Sequence, residues 1–213
     1  MKLKSVLLIL IFFFNTATSE SLVNGSVENG KSISVTCGAC HGIDGNSINP
    51  LWPNLAGQHA EYAAQQLAAF RDGKRMDSLM VAMAIGLSDE DINDLSVYYE
   101  SLPVSQKQIS DPNSFEIGQK IYRGGNNKSG VAACIACHGP AGKGNPAALY
   151  PLINGQGAMY TAKQLNDYAS GARKSLSPVQ IMQDIAKKLT NEEILAVSSV
   201  SYTHLTLPTN REV

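Results

Sequence analysis

After its first twenty residues the 213-residue chain has no apolar run long enough to span a bilayer. Charge of one sign is also lacking: 17 Lys and Arg stand against 18 Asp and Glu, a net of −1. Nothing in that balance points to nucleic acid. Strand signals are scarce and no βαβ pattern is visible, which argues against the sheet-based classes. No cysteine is spare, because all four fall in two identical frames. What remains is a predominantly helical chain with 44% hydrophobic residues, enough for one or two domains.

The first nineteen residues read differently. Lys2 and Lys4 form a basic start, Val6 to Phe14 is unbroken apolar, and Ala17, Thr18 and Ser19 are small. The apolar run is about half of what a spanning helix needs. Residues 1–19 are therefore expected to be a secretory signal peptide cleaved after Ser19, with the mature protein exported and soluble.

The rest of the chain repeats itself at an offset near 98. Leu51-Trp-Pro-Asn-Leu-Ala-Gly57-Gln58 matches Leu149-Tyr-Pro-Leu-Ile-Asn-Gly155-Gln156. Tyr62, Leu67, Phe70 and Gly73 match Tyr160, Leu165, Tyr168 and Gly171. Further on the offset becomes 102, with extra residues around Ser175 to Pro178: Ser88-Asp-Glu-Asp-Ile92 matches Thr190-Asn-Glu-Glu-Ile194. Ala63, Leu67 and Phe70 share a helix face, and Thr161, Leu165 and Tyr168 repeat it. Ser88 with Asp91, and Thr190 with Glu193, resemble capping boxes. Ile92, Leu95, Tyr99 and Leu102 then form an apolar stripe. The expected fold is all-α, in two tandem domains related by duplication, over 20–102 and 115–199. Residues 103–114, polar with prolines near both ends, read as the linker.

The halves differ in charge. Glu20 to Pro103 carries 4 Lys and Arg against 11 Asp and Glu, a net of −7, whereas Val104 to Val213 carries 11 against 7, a net of +4. Such a dipole can orient a docking partner, and salt weakens it.

Both cysteine frames are CxxCH: Cys37-Gly-Ala-Cys40-His41 and Cys134-Ile-Ala-Cys137-His138. Two thiols at this spacing reach the two vinyl groups of one haem, and the following histidine falls beneath its iron. Two covalent haem c groups are expected, one per domain, with His41 and His138 as proximal ligands. A thioredoxin-like redox pair would need a βαβ setting. Zinc or disulfides would leave both histidines unused. Each domain has a thin core for its length, so a buried haem would supply missing apolar mass.

A low-spin, electron-transferring haem needs a second axial ligand, and a thioether favours the ferrous state. Met182 stands eight residues before the Thr190 cap, and Met80 stands eight before the Ser88 cap. These two mirrored methionines are the expected ligands. Met83 and Met76 are the rivals in the first domain, but no methionine mirrors either, and a lone methionine is more often packing. His59 and His204 have no mirrored copies and read as surface residues. Pro53 and Pro151 each follow a CxxCH by about a dozen residues. A carbonyl near them is a candidate acceptor for the histidine Nδ1–H. Alternatively, the prolines only shape the loop.

Taken together, CGACHG followed by DGN, then PNLAGQ, Met-x-x-Met-Ala, SDEDI-x-DL-x-x-Y, YRGG, ACIACHG, GQ-x-x-Y-x-x-KQL and IMQDIAKKL resemble the cytochrome c4 family over roughly Val27 to Ser199. The resemblance implies two cytochrome c domains about a pseudo-two-fold, with haem edges facing one another near the interface. It implies His41/Met80 and His138/Met182 as axial pairs, and a periplasmic location. It also implies partners: a quinol-oxidising complex as donor and a haem–copper terminal oxidase as acceptor. The chain is expected to be an electron carrier, not an enzyme. The competing reading is the cytochrome subunit of a flavocytochrome-type oxidoreductase such as sulfide dehydrogenase. A dihaem peroxidase would need a displaceable ligand, which two symmetric methionines argue against.

One stretch breaks the pattern. Where Tyr99 and Leu102 continue the first stripe, the second half places Ser201 and His204, then Leu-Pro-Thr. Val200 to Val213 fits neither the repeat nor the family, and resembles translated sequencing-adapter sequence fused to a truncated gene. The tail is expected to be non-native.

Overall fold

In the computed structural model, residues 22–105, 112–177 and 179–201 are described. Residues 1–19, read as a signal peptide, His204 and the tail from residue 202 lie outside them. The described residues form helices and isolated bridges, without extended strands.

Ser26 starts α1 (Val27–Ile33) by accepting a hydrogen bond from the Asn29 amide. Then come α2 (Val35–His41), α3 (Ala60–Arg71), α4 (Ser78–Ala84) and α5 (Asp89–Ser101). Asp77 caps α4 by accepting from the amides of Leu79 and Met80. The Ser88–Asp91 capping box forms as the sequence reading expected. The amide and hydroxyl of Ser88 hold the Asp91 carboxyl below its ordinary value. The apolar stripe on α5 is buried at Ile92, Leu95 and Tyr99.

The second half repeats the plan with α6 (Pro112–Gly124), α7 (Ile135–His138), α8 (Ala158–Ser170), α9 (Ile181–Ala186) and α10 (Asn191–Ser201). Thr190 and Glu193 form the matching box: each backbone amide donates to the other's side chain, at 2.9 and 3.2 Å. The last three residues assigned to the linker are helical, because α6 begins at Pro112. Proline fits a first helical turn, where its missing N–H costs nothing.

The first and last helices of each half cross at a glycine. Gly30 on α1 lies against the Asp94 carbonyl of α5, and Gly118 on α6 against the Ala196 carbonyl of α10. The offset there is 88, not 98. Domain 2 therefore gained residues ahead of its CxxCH, as well as near Ser175. The insertion is a turn closed by an Asn126–Val131 bridge and pinned by Lys188 donating to the Gly130 carbonyl. Val200, the first residue of the stretch expected to be anomalous, is fully buried at the position that repeats Tyr98.

The halves join through a pseudo-two-fold polar interface. The Gln58 side chain donates to the Leu152 carbonyl and accepts from the Leu152 amide, both at 2.9 Å. Gln156 does the same with the carbonyl and amide of Asn54, also at 2.9 Å. Asn54 and Leu152 are repeat equivalents, as are the two glutamines. Nearby, Arg75 donates to Gln66, Tyr160 and Gln164, while Arg173 donates to Gln164, Tyr62 and Gln66. Phe70 and Tyr168 lie under the two guanidiniums at 4.5 and 4.6 Å. Among the described residues no carboxylate forms an ion pair with either arginine.

His59 corrects an expectation. It is half-buried at this interface, and its Nε2–H donates to the Lys143 carbonyl at 2.6 Å. Its lack of a mirrored copy hid a cross-domain role.

Candidate functional site

Each CxxCH runs into a short helix that ends at the histidine: α2 contains the whole first motif, and Cys134 is the N-cap of α7 in the second. A glycine with positive φ follows: Gly42 at 83° and Gly139 at 75°. Any other residue would be strained there, so the chain turns sharply and the histidine is left at the helix end. The peptide loop then returns over the imidazole. In domain 1 the amides of Leu55 and Ala56 donate to the Gly45 carbonyl; in domain 2 those of Ile153 and Asn154 donate to Gly142.

That return places one carbonyl on each ring. His41 Nδ1 lies 2.9 Å from the Pro53 oxygen and His138 Nδ1 lies 3.1 Å from the Pro151 oxygen. A carbonyl oxygen only accepts, so Nδ1 carries the proton. Both histidines are buried, and burial pushes each imidazole below its ordinary pKa while the carbonyl contact pulls the other way. A neutral ring with its proton on Nδ1 has its lone pair on Nε2, the tautomer that ligates a metal through Nε2. The prolines thus do more than shape the loop: they belong to the acceptor peptides.

None of the four cysteines is paired in a disulfide. Cys40 is exposed and the other three are half-buried. Burial raises the Cys37 thiol, although Tyr99 works against the shift, and it pushes Cys134 up to about 11. Among the described residues no three His, Cys, Asp or Glu side chains cluster as metal ligands.

Met80 sits in the first turn of α4 and Met182 in that of α9, two helices that end on the matched buried alanines Ala84 and Ala186. Met182 and Cys134 pack against one apolar cluster containing Tyr122, Leu165 and Ile194. In domain 1, Cys37 packs against Leu95, Tyr98 and Tyr99, and α4 packs on α3. Met80 is half-buried, whereas Met83 is 44% and Met76 is 73% exposed. In domain 1, apolar side chains flank the motif without protein cover. Ile43 and Ile48 are over 90% exposed beyond His41, and Leu79 stands exposed beside Met80. Unpaired cysteine pairs, histidines with the lone pair on Nε2 and exposed apolar flanks fit a covalently attached porphyrin.

Sequence reasoning missed Gln66, Gln164, Arg75 and Arg173. Their signal was present, since each pair keeps the 98-residue offset already seen in Tyr62 and Tyr160.

A family model described as Cytochrome c matches residues 27–103 and again 115–199. Cytochrome c4 of Pseudomonas aeruginosa is 42% identical over 175 residues, covering 82% of this chain and 87% of that protein. A thiosulfate dehydrogenase electron acceptor of Stutzerimonas stutzeri is 35% identical over 167 residues, covering 77% and 76%. The crystal structure of reduced recombinant cytochrome c4 from Pseudomonas stutzeri superposes with a TM-score of 0.82 at 39% identity, covering 85% of this chain and all of that one. The cofactors follow from these matches: two haem c groups, one for each pair Cys37/Cys40 and Cys134/Cys137. On sequence, duplication and fold alike, the chain belongs to the cytochrome c4 family of dihaem electron carriers.

Proposed function

We propose that the protein is an exported, periplasmic carrier whose haems are ligated axially by His41 with Met80 and by His138 with Met182. It would take electrons from a quinol-oxidising complex and deliver them toward a terminal oxidase. The observation that carries the ligand assignment is the pair of Nδ1–carbonyl hydrogen bonds, which leaves the lone pair of each histidine on Nε2. Bound haem supplies a one-electron iron couple; the protein's residues hold it and set its potential. The thioethers of Met80 and Met182 would hold the iron together with the histidines, raise that potential and leave no open position for substrate. The location rests on the signal-like segment at residues 1–19. Among the described residues no helix is long and apolar enough to cross a membrane.

A second reading has its own support. Relatives described as thiosulfate dehydrogenase electron acceptors share 34–35% identity over 167 residues. A thiosulfate dehydrogenase from Marichromatium purpuratum contains a region that superposes at TM-score 0.75. The donor would then be a sulfur-compound dehydrogenase, close in kind to the flavocytochrome alternative. Purification as an isolated protein supports the diffusible carrier, and tight co-purification with a dehydrogenase supports the subunit.

The ligand assignment is tested in the oxidised protein through its methionine–iron charge-transfer band. Met80→Ala is expected to lose half the band, and Met83→Ala to retain it. The reverse result would make Met83 the ligand.

A further inference from the structure

The carbonyl on each histidine belongs to a peptide whose N–H is held by the opposite domain. His41 Nδ1–H donates to the Pro53 oxygen; in the same peptide unit, the Asn54 N–H donates to Gln156 Oε1 at 2.9 Å. His138 Nδ1–H donates to the Pro151 oxygen, and the Leu152 N–H of that peptide donates to Gln58 Oε1 at 2.9 Å. Each glutamine amide is locked in this orientation. A backbone N–H can only donate and a carbonyl can only accept, so the Oε1 and Nε2 positions cannot be exchanged without losing both bonds. The amide of the next residue also donates to each Oε1, from His59 at 3.1 Å and from Gly157 at 2.9 Å.

Hydrogen bonds in series polarise one another. A peptide whose N–H is engaged by an amide oxygen has a more negative carbonyl oxygen. That oxygen draws more strongly on the Nδ1–H and makes Nε2 the better donor to a metal, favouring the ferric state. We infer that Gln156 and Gln58 are positioning residues acting across the domain boundary: Gln156 lowers the potential of the haem in domain 1, and Gln58 lowers that in domain 2. The potentials are thereby linked to domain docking, since undocking removes both glutamines from both peptides.

The inference rests on His41 and His138 as axial ligands. Hyperfine-shifted imidazole resonances in the oxidised wild-type protein test that assignment separately. The experiment is potentiometry of the full dihaem chain, with each wave assigned to its haem by methyl resonances. Gln156→Met, which keeps the bulk and removes the acceptor, is expected to raise the domain-1 potential and leave the domain-2 potential in place. Gln58→Met is expected to do the converse. Gln156→Glu retains an acceptor with greater charge and should shift the domain-1 potential downward. A merely structural role would move both waves together or neither. If the imidazole resonances are present and the Met variants shift only the haem of their own domain, shift both equally, or shift none, the inference is overturned.

Discussion

Met182 shows what one side chain contributes here. It packs on the cluster that holds Cys134, at the place where the repeat puts Met80. On the proposed assignment, replacing it with alanine would remove a soft ligand that favours ferrous iron. Met182→Ala is expected to lower the potential of the second haem and to let added imidazole or cyanide bind its iron. Potentiometry and optical titration read this, and an unchanged potential with no ligand uptake would refute the assignment. The haem-binding cysteine pairs, and the repeated positions of the histidines and methionines, were legible in the sequence because covalent attachment and duplication both impose fixed spacing. His59 was not. Its partner is the Lys143 backbone of the other half, and a side chain bonded to backbone leaves no matching residue type to find.

At the level of elements, the caps could be read and the crossings could not. A capping box is local, so Ser88 with Asp91 and Thr190 with Glu193 announced α5 and α10. The α1–α5 and α6–α10 contacts depend on Gly30 and Gly118, which lie more than sixty residues from the carbonyls they face. The nine-residue insertion before Cys134 also blurred the repeat there. Gly118→Ala would drive a methyl into the Ala196 carbonyl and is expected to cost about 1–3 kcal/mol, seen as a lower thermal midpoint. A neutral result would mean the helices can separate freely. The second box should also show in the pH dependence. The Thr190 amide and Asn126 hold the Glu193 carboxyl below its ordinary value. Its folded-state pKa thus lies under the unfolded one, so its contribution is present above the unfolded value and is lost as pH falls through the folded one. Glu193→Gln should flatten that acidic limb of the stability curve; an unaltered limb would assign the acid sensitivity elsewhere.

The whole molecule is two domains clasped by mirrored polar groups. Arg75 and Arg173 each reach both Gln66 and Gln164, so either arginine alone still satisfies both glutamine oxygens. Single alanine variants should therefore be milder than their sum predicts. In a double-mutant cycle the Arg75→Ala/Arg173→Ala pair is expected to show a coupling of about 0.5–3 kcal/mol in thermal unfolding. Strict additivity would mean that the two arginines do not share the cluster. This interface was only partly readable, through Gln58 with Gln156 and Tyr62 with Tyr160, because repetition shows equivalence without showing contact. The two halves of the sequence also carry opposite net charge, a contrast that can orient a docking partner.

That one chain holds two closed haem sites is tested most directly by haem content per chain together with the methionine–iron charge-transfer band of the oxidised protein. Two haems per chain are predicted, with band intensity corresponding to two methionine-ligated irons and no high-spin component. One haem per chain, or two haems with one high-spin, would contradict it.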